Sequence, residues 1–123
     1  MGVARERVYY DRFRVHVTNP GFQTVRSYNI FPDSLTRLEF TLIALQDDKV
    51  ERATFKRVAL LYRLGSGVVK LQGPTWETLE TVKSNTSIDV KFILGSNTLS
   101  LQVKNATTTA TVWLGVVNRL DIK

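Results

Sequence analysis

A lone histidine, His16, is the first residue to consider for catalysis or metal binding. A zinc site built from nitrogen and sulfur donors needs several histidine or cysteine ligands, and this chain has no cysteine. A histidine that acts as a general base needs a nucleophile and an orienting group, and no serine here lies in a recognisable nucleophile elbow. We therefore expect His16 to be an exposed or hydrogen-bonded structural residue.

The acidic residues form no recognisable site either. Asp47 and Asp48 are adjacent, but nothing around them resembles an EF-hand loop, and aspartates are common in turns. Glu77 and Glu80 are close in sequence, yet the period of two in a strand predicts that they lie on opposite faces. The turn at 65–67 lacks the lysine and the following helix of a phosphate-binding loop. We expect no metal, no cofactor and no enzymatic activity.

Basic residues are concentrated at the beginning of the chain, which carries a net charge of +6. The arginines in question are Arg5, Arg7, Arg12 and Arg14. One interpretation is a solvated terminus followed by an edge strand whose charges block aggregation. The alternatives are a basic arm that binds an acidic protein surface or, less favoured, nucleic acid. If the arm is functional, these four arginines are the predicted assembly contacts.

Six aromatic residues are candidates for stacking on sugar rings or nucleobases: Tyr9, Tyr10, Tyr28, Tyr62, Trp76 and Trp113. Of these, Tyr9, Trp76 and Trp113 are the predicted subunit or glycan contacts. Trp113 lies between Val112 and Leu114, so one face of its strand must expose a large side chain or pack against a second layer. Aromatic residues in such positions belong more often to a core or a subunit contact than to a ligand site. Binding of a host-surface glycan is the alternative interpretation.

The elements that must position these side chains are predicted to be β-strands. The clearest signal is an alternation of apolar residues over 88–94, 99–103 and 112–117, with polar turns between the three runs. Side chains on a strand point to opposite faces with period two, so each run has one apolar face. We predict an antiparallel meander in which the even-numbered residues of the last run face the core. The Trp113 face should pack against a second layer or a sister subunit.

The earlier part of the chain contains further strand patterns separated by Gly, Pro and charged turns. Leucines in the third pattern also fit a helix, but its threonine, phenylalanine and isoleucine residues favour a strand. About eight or nine short strands at this spacing are typical of a β-sandwich or barrel. The predicted strands before the meander are 8–17, 22–30, 35–45, 51–64, 68–71 and 75–82.

These patterns predict an all-β fold, an antiparallel β-sandwich of the jelly-roll type. Its 123 residues are enough for one domain with its own core. We place a basic N-terminal arm at 1–7 and the sandwich at 8–123. No apolar run approaches the roughly 20 residues that cross a bilayer, so we expect no membrane partner.

The second half of the chain resembles a β-sandwich domain found in tailed-bacteriophage virion proteins, often in tail-fibre or tail-associated proteins. The resemblance covers about Leu35 to Ile122 and departs from the family pattern at 104–106, where those domains often have a Thr-Gly pair. The motifs that carry it are LYRLGSG at 61–67, VKLQG at 69–73, IDVKF at 88–92, NTLSLQV at 97–103 and TATVWLGVV at 109–117.

This resemblance implies a structural protein located in the virion, either a capsid decoration protein or a tail or fibre accessory protein. It also implies that the partners are other virion proteins and copies of the same chain, with a trimer favoured. Two other classes stay open from the residues alone. One is a glycan-binding adhesin with Trp76 or Trp113 in a shallow site, and the other is a nucleic-acid-binding barrel of the OB type.

Overall fold

The computed structural model describes residues 6–72 and 77–123, and this part of the chain forms nine β-strands and no helix. All strand pairings are antiparallel, which confirms the predicted all-β fold. The strands are β1 (Glu6–Val17), β2 (Gln23–Asn29), β3 (Ser34–Gln46), β4 (Arg52–Arg63), β5 (Lys70–Leu71), β6 (Glu77–Lys83), β7 (Asp89–Leu94), β8 (Thr98–Lys104) and β9 (Thr111–Ile122).

The strands form two sheets. The larger sheet has the order β1-β9-β3-β4-β5, with β6 also paired to β4, and the smaller sheet has the order β2-β8-β7. Aromatic rings from both sheets meet between them: the Phe40 ring lies 5.9 Å from Tyr28 and 4.8 Å from Phe92. The two sheets therefore enclose one apolar core, as expected for a β-sandwich.

Strand β3 shows how the sequence pattern produces the core. Leu38, Phe40, Leu42 and Ala44 alternate with polar or exposed residues, and all four are buried. The strand pairs with β9 on one side and β4 on the other, so its backbone groups are satisfied along its whole length. The alternation of this strand therefore places its apolar face in the core.

The predicted meander is wrong in its third strand. Strands β7 and β8 form a hairpin, but β9 crosses to the larger sheet and lies between β1 and β3. The turn at 95–97 is short enough to keep β7 and β8 in one sheet, whereas the segment 105–110 is long enough to cross between sheets. Hydrophobic alternation shows that a strand is half-buried, but it does not show in which sheet the strand pairs.

The predicted core face of β9 is also wrong. Trp113 and Val117 are fully buried, whereas Leu114 is 43% exposed. Gly115 lies on the same buried face, where an added Cβ would overlap the Phe13 ring. The glycine leaves the space that the Phe13 ring fills from the neighbouring strand. Because both faces of this strand are apolar, alternation alone does not identify the buried face, and the predicted core face is the exposed one.

The N-terminal strand begins earlier than predicted. Strand β1 starts at Glu6, so Glu6 and Arg7, placed in the arm from sequence, are paired with β9. Phe13 and Val17 are buried in the core. Arg5 lies outside the described residues.

Candidate assembly surface

The larger sheet has an outer face, the side turned away from the smaller sheet, that carries many exposed apolar side chains. The alternation of each strand sets this face: where Trp113 and Phe40 point inward, their sequence neighbours must point outward. The exposed fractions range from 38% to 80%. The exposed apolar and aromatic side chains of the outer face are Val8, Tyr10, Leu35, Ile43, Leu45, Val82, Leu114, Leu120 and Ile122.

Strand register brings one group of these side chains together at the end of the sheet where β1 begins. Val8 lies opposite Leu120 on β9, and Leu35 on β3 lies opposite Ile122. Directly opposite residues of antiparallel strands have their Cβ atoms about 5 Å apart, so their side chains are in contact. We call these four residues the Leu120 patch.

A second group, the Leu114 patch, lies toward the other end of the same face and consists of Ile43, Leu45, Val82 and Leu114. Ile43 is directly opposite Leu114, and Thr54 lies between Ile43 and Val82. Ile43, Leu45 and Val82 line a shallow groove of about 530 Å³. A groove with apolar walls on a sheet surface accepts an apolar side chain of a partner more readily than it accepts water.

Charged residues lie between and beside the two patches. The Glu39 carboxylate accepts a hydrogen bond from Arg37 at 3.1 Å and lies 3.2 Å from the Lys56 ammonium. The hydrogen bond from Lys56, together with that from Arg37, lowers the pKa of Glu39 despite its partial burial. Arg12 and Arg14 project on the same face, opposite Val116 and Leu114.

The outer face of the smaller sheet is different, because its cross-strand contacts are polar. Ser27 and Ser100 share a hydrogen bond of 2.8 Å, and Gln102 donates one of 3.0 Å to Thr24. Hydroxyl and amide groups on a sheet face can also hydrogen-bond to water. The domain therefore has one outer face suited to water and one suited to a partner surface.

His16 lies near the end of β1 and contacts the turn after β3. Its Nε2 is 2.8 Å from Asp47 Oδ2, and both side chains are about half exposed. Among residues 6–72 and 77–123, no group of three or more potential metal ligands is close enough to hold an ion. In that part of the chain there is likewise no helix long and apolar enough to cross a membrane.

Three of the four arginines predicted as assembly contacts lie on β1: Arg12 and Arg14 fall within the strand predicted at 8–17, and Arg7 falls in the segment predicted as an arm. Arg12 and Arg14 are on the outer face of β1, whereas Arg7 is on the opposite face of the strand. The Arg7 guanidinium lies 5.3 Å from the Phe31 ring and 5.3 Å from the Tyr9 ring. Arg5, the fourth, is outside the described residues.

The structure also places the aromatic candidates. Trp113 does not lie at a surface: it stacks on Phe55 at 5.9 Å, and its indole N–H donates to Asn105. Because Trp113 is fully buried, it cannot contact a glycan or another subunit. Tyr9 is 39% exposed at the edge of the larger sheet. Trp76 lies outside the described residues.

Sequence reasoning missed a buried ion pair at one end of the core. The Arg119 guanidinium donates two hydrogen bonds to the Asp121 carboxylate, at 2.8 and 3.2 Å. Thr36 donates a further hydrogen bond to the same carboxylate. Arg119 also donates to the backbone carbonyl of Asn29 in the smaller sheet. The sequence could have indicated this pair, because Arg119 and Asp121 lie on the same face of β9 as Trp113 and Val117. That inference requires the correct core face of β9.

No protein-family model and no curated protein matches the chain. Among solved structures, the tailspike protein of Acinetobacter baumannii phage AM24 aligns at 12% identity with a TM-score of 0.47, over 94% of this chain and 26% of that one. Gp49 of Acinetobacter baumannii bacteriophage Fri1, a tailspike and capsular polysaccharide depolymerase, aligns at 12% identity with a TM-score of 0.45, over 92% of this chain and 17% of that one. Similarity of this degree establishes neither a family nor an activity.

Proposed function

We propose that the chain is a non-catalytic structural component of a bacteriophage virion, a capsid decoration or a tail or fibre accessory protein. It is joined to other virion proteins through the outer face of the larger sheet. The observation that carries this proposal is the contrast between that apolar face and the polar outer face of the smaller sheet. The phage context comes from the resemblance of the strand and turn motifs over residues 35–122.

The energetics favour a covered outer face. Soluble monomers rarely expose contiguous apolar patches larger than a few hundred Å² unless the patch is a binding site. Full burial of one leucine or isoleucine contributes about 1.5–3 kcal/mol, and a half-exposed side chain contributes about half of that. Association costs on the order of 4–15 kcal/mol, so both the Leu114 patch and the Leu120 patch are needed to support a stable contact.

The decisive experiment uses matched apolar-to-lysine substitutions on the two outer faces. Leu114 on the outer face of the larger sheet and Ile93 on that of the smaller sheet have the same exposed fraction, 43%. Both variants should keep their β-sheet circular dichroism, because neither side chain belongs to the core. We expect L114K to lose most of its co-sedimentation with particles assembled without this chain, and I93K to retain it.

The outcome that contradicts the proposal is equal co-sedimentation of L114K, I93K and the unmodified chain. I43K serves as a second variant, because Ile43 faces Leu114 directly across the β3–β9 pair and is 50% exposed. Agreement between L114K and I43K would assign the loss to the Leu114 patch rather than to one position.

A further inference from the structure

Strand β1 forms one edge of the larger sheet and is long for an edge strand, at 12 residues. It pairs with β9 on one side, and within residues 6–72 and 77–123 its other side has no strand partner. Its first half is exposed and includes apolar and aromatic side chains, with Val8 80% and Tyr10 57% accessible. An open edge of this kind is a template for another strand, and it normally carries a device against uncontrolled pairing.

The sequence of β1 is complementary to itself when a second copy runs antiparallel with Tyr9 opposite Tyr9. In this register Val8 faces Tyr10 of the second copy, and Arg7 faces Asp11. Glu6 then faces Arg12. Each charged pair joins opposite signs, and two-fold symmetry repeats each pair once, while the apolar residues meet at the centre.

Other two-fold registers of the same strand lose this complementarity. Centring the pair on Tyr10 places Val8 opposite Arg12, and Tyr9 opposite Asp11. Centring on Asp11 or on Arg12 places like charges on the axis, where they repel. The Tyr9 register places two pairs of opposite charge face to face, whereas the Tyr10 register keeps only the Glu6–Arg14 pair, so charge favours the Tyr9 register.

Three of the four charged groups that this register needs are open to a second copy, whereas Arg7 lies over the Phe31 and Tyr9 rings and exchanges those contacts for Asp11. Glu6 and Arg12 are exposed and make no ion pair or hydrogen bond with the described residues. The Asp11 carboxylate accepts a hydrogen bond of 2.9 Å from the Tyr28 hydroxyl and lies 3.6 Å from Arg26. Its side chain is still 21% accessible, so a second guanidinium can approach it from the open edge.

We propose that two copies of this chain join through their β1 strands, antiparallel, with Tyr9 on the two-fold axis. The larger sheets then become one continuous sheet, because residues 6–12 of the two β1 strands satisfy each other's open backbone groups. The axis is perpendicular to the sheet, so both outer faces lie on the same side. Val8 and Tyr10 from each copy meet at the centre and join the two Leu120 patches into one surface.

This inference deepens the proposed function by naming a second copy as a partner, and it rests on that function only for the use of the joined outer face. The contact itself is two-fold and predicts a dimer of the purified chain. The resemblance to virion proteins implies a trimer instead, so the molecular mass separates the two.

The test exploits the distance between the two charged positions. Glu6 and Arg12 are six residues apart on one strand, about 20 Å, so they cannot pair within one copy. E6R alone and R12E alone place like charges opposite each other at two points and should weaken the dimer by at least about tenfold at low salt. Mixing E6R with R12E makes every pair opposite in sign again and should restore a mixed dimer, as should the double variant E6R/R12E.

Sedimentation equilibrium of the four proteins and of the mixture measures these outcomes, with circular dichroism confirming the fold. A monomeric or trimeric unmodified chain would overturn the proposal. So would dimers of E6R that are as stable as those of the unmodified chain, or a mixture of E6R and R12E that stays monomeric.

A second experiment tests whether Tyr9 lies on the two-fold axis of the dimer. The chain has no cysteine, so Y9C introduces one thiol per copy. On the axis, two such thiols are within reach of a disulfide, and mild oxidation should convert Y9C to a covalent dimer. L64C, at an exposed position that is 74% accessible, is the control and should stay largely monomeric. Equal cross-linking of Y9C and L64C would contradict the register.

Failure of this inference and failure of the proposed function give different results. If the edge contact is absent, Y9C does not cross-link, yet L114K still loses co-sedimentation with particles. If the virion role is absent, Y9C cross-links, and L114K sediments with particles no differently from I93K.

Discussion

At the scale of single residues, the buried polar groups of this domain are all satisfied within the described part of the chain. The clearest case is the Arg119–Asp121 pair, which makes further hydrogen bonds with Thr36 and with the Asn29 carbonyl. A buried ion pair contributes little net stability, but removal of one member leaves an uncompensated charge in the core. The pair therefore fixes how the end of β9 is placed against the smaller sheet.

Glu39 gives a pH-dependent prediction. Its pKa is lowered in the folded chain, mainly by the hydrogen bond from Lys56, so its contribution to stability is present above the unfolded pKa of about 4.3. That contribution is lost as the pH falls through the folded pKa. E39Q should lower the free energy of unfolding by about 0.5 kcal/mol at pH 7, a small value because the partners are partly exposed.

Urea denaturation of E39Q and the unmodified chain from pH 7 to pH 3 checks this expectation. The difference between the two proteins should shrink below pH 4, and about 1 M salt should reduce it at pH 7 by screening. A difference that is constant over the whole pH range would show that the ion contacts of Glu39 do not stabilise the fold.

At the scale of elements, the connection between β8 and β9 determines the topology. Asn105 at its start is buried, accepts the Trp113 indole hydrogen at 3.0 Å and donates to the Val17 carbonyl at 2.8 Å. One side chain thus ties the crossing segment to β1 and β9 of the larger sheet.

We predict that N105L destabilises the domain by about 1–3 kcal/mol, because both polar partners of the amide are left buried without a hydrogen bond. N118L is the matched control, since Asn118 is exposed on the outer face of β9. Chemical denaturation of both variants measures the difference. Equal stability of N105L and N118L would mean that the connection does not depend on this amide.

Much of the strand content could be predicted from alternation and turn residues, as β3 and the β7–β8 hairpin show. The placement of β9 could not, because period-two patterns carry no information on which strands pair. Its buried face was also ambiguous, since Leu114 and Val116 on one side are as apolar as Trp113 and Val117 on the other. The large Trp113 side chain and Gly115 lie on the same face of the strand, and together they indicated which face is buried.

The candidate surface was not predicted either, and for a related reason. A strand that is apolar on both faces indicates either a second layer or a partner, and the sequence does not distinguish them. Arg7, expected on the arm, lies on β1 with Arg12 and Arg14, and only the strand register of the folded domain defines which face each of them occupies. Arg12 and Arg14 remain predicted contacts, now with a position on the larger sheet.

At the scale of the whole molecule, the domain has two unlike outer faces and one open edge. The polar face of the smaller sheet suits solvent, the apolar face of the larger sheet suits a partner, and the β1 edge suits a second copy. Because Trp113 is buried, the glycan-binding alternative now depends on the exposed tyrosines and on Trp76. The proposed virion role uses the apolar face, and the proposed dimer uses the open edge.

The most direct test of that role compares labelling of L114C and I93C with a maleimide, in the free chain and in assembled particles. Both positions are equally accessible in the free chain, which has no native cysteine to compete. If the outer face of the larger sheet is the assembly surface, L114C is labelled when free and protected in particles, whereas I93C is labelled in both. Labelling of L114C in particles at the same rate as I93C would contradict the account.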